Sequence, residues 1–346
     1  MMISFISYRI VALLALAAVL LTGCSNGDPR VAVHALTGST MGTSYHIKVV
    51  APQALDTALL NQRIKAVLDR IEYRMSTYRE DSELSRFNRS VPGDPFSVSA
   101  ETATVVALGL QVSRQSEGAF DMTVGPLVNL WGFGPDKSIT HTPDPEVISA
   151  GLKQVGYQAV TVQAGPPALL KQAPRYLDLS AIAKGYAVDQ VAELLKPEFS
   201  GFMVEVGGEL RLHGSKPDAE PWRIAVETPD ASTRTIQRVV EVGDNAIATS
   251  GDYRNYFEEA GVRYSHTLDP ATGRPINHRL ASVTVIDPSC ARADAMATAL
   301  MVLGDKKGLL LAEKLGLHAF FLVKSAEGFV EKQTSGFGQF LKPLNP

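Results

Sequence analysis

The spacing of apolar residues changes near the middle of this chain. Apolar residues at 60, 64, 67, 68, 71 and 75 recur with a helical period, and a second helix is predicted from about Ser99 to residue 115. A Gly- and Pro-rich stretch at 131–145 predicts loops, with another helix beginning near Glu146. Farther on, β-prone runs occur at 158–163, 175–179, 202–206, 208–213, 222–226, 237–242, 263–268 and 281–286, with helices at about 183–195, 290–303 and 306–315. Helices and strands mix without strict βαβ alternation, which predicts an α+β domain with a mostly antiparallel sheet.

The N-terminus has the pattern of a processed leader. Residues 1–9 carry one positive charge, and residues 10–21 are an unbroken apolar run. As a helix this run would rise about 18 Å, short of the roughly 30 Å hydrocarbon core, so a signal peptide is expected. Leu21-Thr22-Gly23-Cys24 resembles a bacterial lipoprotein processing site, with an ordinary signal peptide as the alternative. We therefore predict a leader at 1–23, a tether at 24–35 and one domain at 36–346.

Composition narrows the classes of partner. The chain has 346 residues, 45% of them hydrophobic, and a net charge of −3. That length supports a sizeable core, and the absence of a basic excess argues against nucleic acid. With Cys24 lipidated, Cys290 is left alone, so no intrachain disulfide is expected and the thiol is predicted to be buried.

Several common catalytic motifs are missing from the sequence. There is no H-E-x-x-H, P-loop or C-x-x-C. Gly132 and Gly134 are not followed by the third glycine of a dinucleotide-binding fingerprint, and the seven histidines show no zinc-ligand spacing. These absences disfavour a Rossmann dehydrogenase and a zinc enzyme.

One helical segment has the residue types of a magnesium site. Asp287-Pro288 offers an N-cap and a proline at the first helical position, so Asp294 and Thr298 share one face of the following helix. A carboxylate and a hydroxyl suit Mg²⁺, which takes further ligands from water and phosphate. The alternative is a solvent-facing pair.

Further candidates lie at turns and helix starts. Lys184 begins a helix where a phosphate would find backbone N–H groups, and Asp178 precedes it; a capped helix with an exposed lysine is the alternative. His266 lies before a turn and is a candidate general base, or else a structural histidine. Tyr78 and Phe120 are candidates to bracket an aromatic ligand, with core or surface packing as the alternative.

From about Leu36 to the C-terminus, the chain carries a series of short motifs in a fixed order. They are Thr40-Met41-Gly42-Thr43, Met75-Ser76-Thr77-Tyr78, Ser85-Arg86-Phe87-Asn88, Gly118-Ala119-Phe120-Asp121, residues 125–134, Asp178-Leu179-Ser180, Lys184-Gly185-Tyr186, Gly207-Gly208, residues 249–253, His266, Asp269-Pro270, Thr272-Gly273 and Ala293-Asp294 with Thr298. Taken together, these motifs resemble the FAD:protein FMN transferase family, the ApbE-like flavin transferases.

The resemblance implies a single T-fold-like α+β domain that holds FAD in a cleft. By position, the expected FAD contacts are Met41, Tyr78, Ala119, Phe120, Asp121, Asp178, Lys184 and Leu268. The expected metal ligands are Asp294, Thr298 and the backbone carbonyl of Ala181. Some relatives carry a second Asp directly before the threonine, where this chain has Ala297, which puts metal affinity in question.

The implied reaction is Mg²⁺-dependent transfer of FMN from FAD to a Thr or Ser hydroxyl of an acceptor protein, with release of AMP. His266 is the expected proton acceptor, and Asp252 is the second candidate. FAD hydrolysis to FMN and AMP, or flavin binding without catalysis, are the alternatives. Membrane redox subunits, such as those of sodium-pumping NADH:quinone reductase, are the implied acceptors. A lipid anchor at Cys24 would hold the chain in the periplasm on the inner membrane, with the outer membrane left open because Ser25 is not the Asp of inner-membrane retention.

Overall fold

The computed structural model describes residues 31–135, 141–229, 235–253 and 255–343. The helices in this part of the chain are α1 (Thr57–Met75), α2 (Glu83–Arg89), α3 (Ala100–Gln115), α4 (Gly125–Leu130), α5 (Pro145–Leu152), α6 (Ala183–Leu195) and α7 (Cys290–Lys314). The strands are β1 (Val31–Thr40), β2 (Thr43–Pro52), β3 (Phe96–Ser97), β4 (Val160–Ala164), β5 (Pro167–Lys171), β6 (Phe202–Val206), β7 (Glu209–His213), β8 (Ile224–Glu227), β9 (Ile236–Val240), β10 (Ala246–Gly251), β11 (Tyr256–Glu259), β12 (Val262–Ser265), β13 (Leu268–Asp269), β14 (Arg274–Pro275), β15 (Leu280–Asp287), β16 (His318–Ser325), β17 (Gly328–Gln333) and β18 (Leu341–Lys342).

The longest sheet is antiparallel and has the order β1-β2-β6-β7-β10-β15-β16-β17 within the described residues. Along β16 the side chains alternate between its two faces: Ala319 and Phe321 join one hydrophobic cluster, whereas Phe320 and Leu322 join another. This alternation is what a strand covered on both faces requires. Helices α1, α6 and α7 pack around the first cluster, and the small sheet β18-β9-β8 covers the second. The α+β architecture expected from the sequence is thereby confirmed.

Helices α6 and α7 approach each other closely on the sheet. A Cβ atom added at Gly185 would lie 2.4 Å from the carbonyl oxygen of Cys290 and 2.8 Å from Cα of Ala291. Both obstacles are backbone atoms, which leave no flexible side chain to move aside. Only glycine therefore permits this approach, and Cys290 is buried beneath it as predicted.

The sheet opens between β7 and β10. These strands pair only at Arg211 with Ala246 and at Leu210 with Ile247. Toward the start of β7 and the end of β10 that pairing does not continue among the described residues. A pocket therefore forms within the sheet, at the ends of two central strands.

Most predicted helices are confirmed. The helical pattern over residues 60–75 corresponds to α1, and the helix predicted at 183–195 corresponds to α6. The helices predicted at 290–303 and 306–315 both belong to α7, and Ser99 caps α3 through the backbone N–H of Thr102. The predicted break after residue 303 is a kink at Gly304, where φ is 74° and ψ is 178°.

Several sequence predictions are wrong. Residues 31–35 belong to β1, paired along its length with β2, and are not part of a tether. Residues 175–179 are not a strand, and Ser289 rather than Asp287 caps α7, because Asp287 ends β15. The leader and Cys24 lie outside the described residues. No helix in the described ranges is long and apolar enough to cross a membrane.

We expect Gly185→Ala to destabilise the fold, because the new methyl group must push two helix backbones apart. Overpacking of this kind costs about 1–3 kcal/mol. Urea denaturation followed by circular dichroism measures the loss. Gly165→Ala is the control, because a Cβ there meets nothing within 4 Å. Equal stability of the two variants would contradict the close approach.

Candidate active site

A cavity of about 810 Å³ fills the opening between β7 and β10. This volume lies within the range of small-molecule and cofactor sites. The turn Gly207–Gly208, the end of β10 and the first turns of α6 and α7 all contribute to its wall. Predicted site residues that line it are Tyr78, Ala119, Phe120, Asp121, Asp178, Ala181, Lys184, His266, Leu268, Asp294 and Thr298. Segments far apart in sequence therefore meet at one place.

Met41 and Asp252 do not line this cavity. Met41 lies in the turn between β1 and β2, where its φ is 49° and its backbone N–H donates to Glu72 at 3.4 Å. Its neighbour Thr43 lines the cavity instead. The carboxylate of Asp252 is ion-paired with Lys324. This pairing disfavours Asp252 as a general base.

The three residues expected to hold a metal lie on the same wall. Asp294 is buried, and its Oδ2 accepts a hydrogen bond from the backbone N–H of Gly185 at 3.1 Å. The hydroxyl of Thr298 lies 3.3 Å from that of Ser250, on β10. Ala181 lies just before α6 and lines the cavity.

This donor set fits a hard cation that keeps part of its water shell. No group of three or more His, Cys, Asp or Glu side chains arranged to hold a metal occurs among the described residues. A site with a single carboxylate, a hydroxyl and a backbone carbonyl is incomplete by itself. Mg²⁺ commonly binds in this way and takes its remaining ligands from water and substrate phosphates.

Lys184 lies between two buried carboxyl groups. Its Nζ is 3.0 Å from Oε2 of Glu209 and 3.5 Å from Oδ2 of Asp294. Burial acts to lower the pKa of Lys184, but the negative charges of Asp294 and Glu209 outweigh it and raise that pKa. The pKa of Glu209 is raised to about 8, chiefly by burial of its carboxyl group. The positive charge of Lys184 opposes this rise, and the negative charge of Asp294 adds to it. Near neutral pH, Lys184 is therefore charged and Glu209 is largely protonated.

Glu209 was missed by the sequence analysis. It follows the Gly207–Gly208 turn and begins β7, a position that the sequence identifies only as the far side of a bend. The available sequence signal was a charged residue directly after a Gly-Gly pair, at the start of a β-prone run. Its significance depends on Lys184, which approaches it from a different element.

His266 has a geometry that suits proton acceptance. Its Nδ1 is 3.0 Å from the carbonyl oxygen of Asn255. A carbonyl only accepts hydrogen bonds, so Nδ1 carries the proton in the neutral ring and Nε2 is the basic nitrogen. The ring also lies edge-on to Phe133, with centroids 6.3 Å apart.

Another part of the cavity lining combines aromatic and acidic groups. Tyr78 is 57% exposed, and its pKa is raised by burial of the hydroxyl and by the charge of Asp178. Asp121 accepts hydrogen bonds from the backbone N–H groups of Thr123, at 2.8 Å, and Tyr157, at 3.0 Å. Asp121 thus shapes the loop beside Phe120 as well as lining the cavity.

The chain is similar to flavin transferases over most of its length. Residues 41–321 match the model of the ApbE family. The FAD:protein FMN transferase of Vibrio cholerae is 48% identical over 333 residues, covering 95% of this chain and 98% of that protein. The crystal structure of Pseudomonas stutzeri flavinyl transferase ApbE, in the apo form, matches with a TM-score of 0.82 and 44% identity, covering 90% of this chain and 97% of that one. The structure of the flavin transferase ApbE from Vibrio cholerae has a TM-score of 0.83 and 46% identity, covering 90% and 100%.

This chain belongs to the ApbE family. The match covers most of the described residues and includes every residue that was found to line the cavity.

Glu209→Gln should change how stability depends on pH. The pKa of Glu209 is about 8 in the folded protein and 4.5 as its ordinary value. The stabilisation from this proton is complete below the ordinary value and is lost as pH rises through about 8. Glutamine is neutral throughout, so we expect the variant to gain stability relative to the wild type across this window. Urea denaturation in EDTA, at a series of pH values, measures the difference.

A stability difference that stays constant over the same pH range would contradict the assignment. Glu327→Gln, in the exposed turn between β16 and β17, controls for the loss of an acidic side chain.

Proposed function

We propose that this chain is a FAD:protein FMN transferase that moves FMN from FAD to a hydroxyl of an acceptor protein. The observation that carries the proposal is the meeting of Lys184, Asp294 and Thr298 on one wall of a cavity large enough for a cofactor. Lys184 supplies a positive charge for a pyrophosphate, and Asp294 and Thr298 supply hard oxygen ligands for a cation that would bind with it. The relatives' names agree with this chemistry.

The reaction joins the acceptor oxygen to the phosphorus on the flavin side of FAD. The phosphoanhydride bond to the adenosine side breaks, and AMP leaves. His266 takes the hydroxyl proton at Nε2 as the new phosphoester bond forms. Lys184 and the first N–H groups of α6 stabilise the negative charge that develops on the phosphate oxygens.

Asp294, Thr298 and the carbonyl of Ala181 are the proposed ligands of Mg²⁺. When bound, this ion would withdraw charge from the pyrophosphate. Lys184 would remain near Asp294 and share the task of neutralising charge. The walls around Phe120, Asp178 and Leu268 would hold FAD and position it for attack.

The proposal also includes the acceptor protein and the cellular location of this chain. The acceptor is proposed to present a Thr or Ser in a short motif on a membrane redox subunit, such as one of sodium-pumping NADH:quinone reductase. A lipid on Cys24 would hold the domain at the periplasmic side of the membrane. Fractionation of cells that express Cys24→Ala tests the anchor, since release from the membrane fraction is expected.

The transferase is tested by mixing the protein with FAD, Mg²⁺ and an acceptor domain. Flavin fluorescence that stays with the acceptor band after denaturing electrophoresis supports transfer. AMP release without an acceptor would instead indicate hydrolysis. FAD binding with neither product would indicate a flavin-binding protein and contradict the proposal.

Asp294→Ala should abolish transfer while some FAD binding remains, because the proposed metal ligand is lost and the flavin-side wall is intact. Transfer is measured by the electrophoresis assay and binding by quenching of flavin fluorescence. Asp305→Ala is a matched control on the same helix, since Asp305 pairs with Lys332 at 2.6 Å and does not line the cavity. Full transfer activity in Asp294→Ala would refute the metal assignment.

His266→Gln should lower the rate of transfer about 10²- to 10⁴-fold, the usual contribution of a general base. FAD affinity should change little. His34→Gln is the control, because His34 bonds Pro52 outside the cavity. If Asp252→Asn produced this loss and His266→Gln did not, the roles of the two candidates would be exchanged.

A further inference from the structure

A buried carboxylate on α6 binds the start of α7. Asp189 is 7% exposed. Its Oδ1 accepts from the backbone N–H of Cys290 at 2.9 Å, and its Oδ2 accepts from that of Ala291 at 3.0 Å. The hydroxyl of Ser289 donates to Oδ2 at 2.9 Å. One side chain thus satisfies two of the amide groups that a helix start leaves without intrahelical partners.

The start of α7 already has a local cap, so Asp189 is an additional attachment. Ser289 accepts from the backbone N–H of Arg292 at 3.3 Å. An N-cap within α7 stabilises that helix alone. Asp189 instead joins it to a different helix, and so fixes the position of one helix against the other.

The same face of α6 carries the contacts of the proposed metal site. Gly185 lies one helical turn before Asp189, and its N–H donates to Asp294 at 3.1 Å. Asp294 in turn lies about one helical turn after Cys290 on α7. The two helices are therefore joined at two consecutive levels, first through Asp189 and then through Asp294.

Arg211 extends this attachment to the sheet. Its Nη1 donates to Oδ1 of Asp189 at 2.8 Å, and its Nη2 lies 3.2 Å from Oε1 of Glu193. Arg211 belongs to β7, the strand that begins with Glu209. The charge of Asp189 is thereby balanced, and α6, α7 and β7 meet at one group.

We propose that Asp189 is a positioning residue for the metal and pyrophosphate site. It holds the first turns of α7 against α6, so that Asp294 and Thr298 face Ala181 and Lys184 at a fixed separation. This inference rests on the proposed function, because it assumes that these four residues act together on one ligand.

The test measures metal affinity without catalysis. Mn²⁺ binding to the purified chain is followed by the electron paramagnetic resonance signal of free Mn²⁺, for the wild type, Asp189→Asn and Ser289→Ala. Loss of a residue that orients a metal ligand typically weakens metal affinity by about 10- to 100-fold. We expect Asp189→Asn to show a loss in this range, and Ser289→Ala, which removes one of the donors, a smaller one.

A control separates positioning from general stability. Phe337→Leu alters a fully buried residue of the second hydrophobic cluster, which lies apart from α6 and α7. At a comparable fall in melting temperature it should keep the wild-type affinity for Mn²⁺. Wild-type affinity in folded Asp189→Asn would overturn the proposal. Should that variant fail to fold, unchanged affinity in Ser289→Ala would overturn it equally.

The outcome is distinguishable from failure of the transferase proposal. A wild-type chain that binds Mn²⁺ but transfers no flavin would contradict the transferase, whereas weaker binding in Asp189→Asn would still support the positioning role. A wild-type chain that binds no Mn²⁺ would overturn the positioning role.

Discussion

The contact on which the rest of the structure depends is the approach of α6 and α7 at Gly185. Backbone atoms of Cys290 and Ala291 occupy the space that any larger residue would need. This approach brings the N–H of Gly185 onto the carboxylate of Asp294 and puts Lys184 3.5 Å from it. A side chain at Gly185 would push α6 and α7 apart and move the ammonium group of Lys184 away from the carboxylate of Asp294. The two groups could then no longer act on one pyrophosphate together.

The same contact concentrates charge in a buried place. Burial of Asp294 and Glu209 beside one lysine is costly, and the structure limits the cost by leaving Glu209 largely protonated near neutral pH. The result is a wall with one ammonium, one carboxylate and one neutral acid. Such a wall can bind a cation and a polyanion together, because each balances the charge of the other. The opening of the sheet between β7 and β10 gives them access.

The sequence predicted helices better than strands because their signals are local. The spacing of apolar residues in α1 and the serine at the start of α3, Ser99, are readable from neighbouring positions. The pairing of β1 with β2 is local as well, but residues 31–35 of β1 follow a short polar stretch and were assigned to a tether. The candidate site came from family resemblance, since single motifs were ambiguous. The sequence did not predict the roles of Glu209 and Asp189, because their partners lie on other elements. The partner of Glu209 is Lys184 on α6, and that of Asp189 is the start of α7.

The central claim is that one cation-binding point lies between α6 and α7, beside Lys184. Crystals of the protein soaked with Mn²⁺, measured at the manganese absorption edge, test it most directly. The account predicts an anomalous peak about 2.0–2.3 Å from a carboxylate oxygen of Asp294, the hydroxyl of Thr298 and the carbonyl oxygen of Ala181. A peak bound elsewhere in the cavity, or no peak in crystals that still bind FAD, would contradict it.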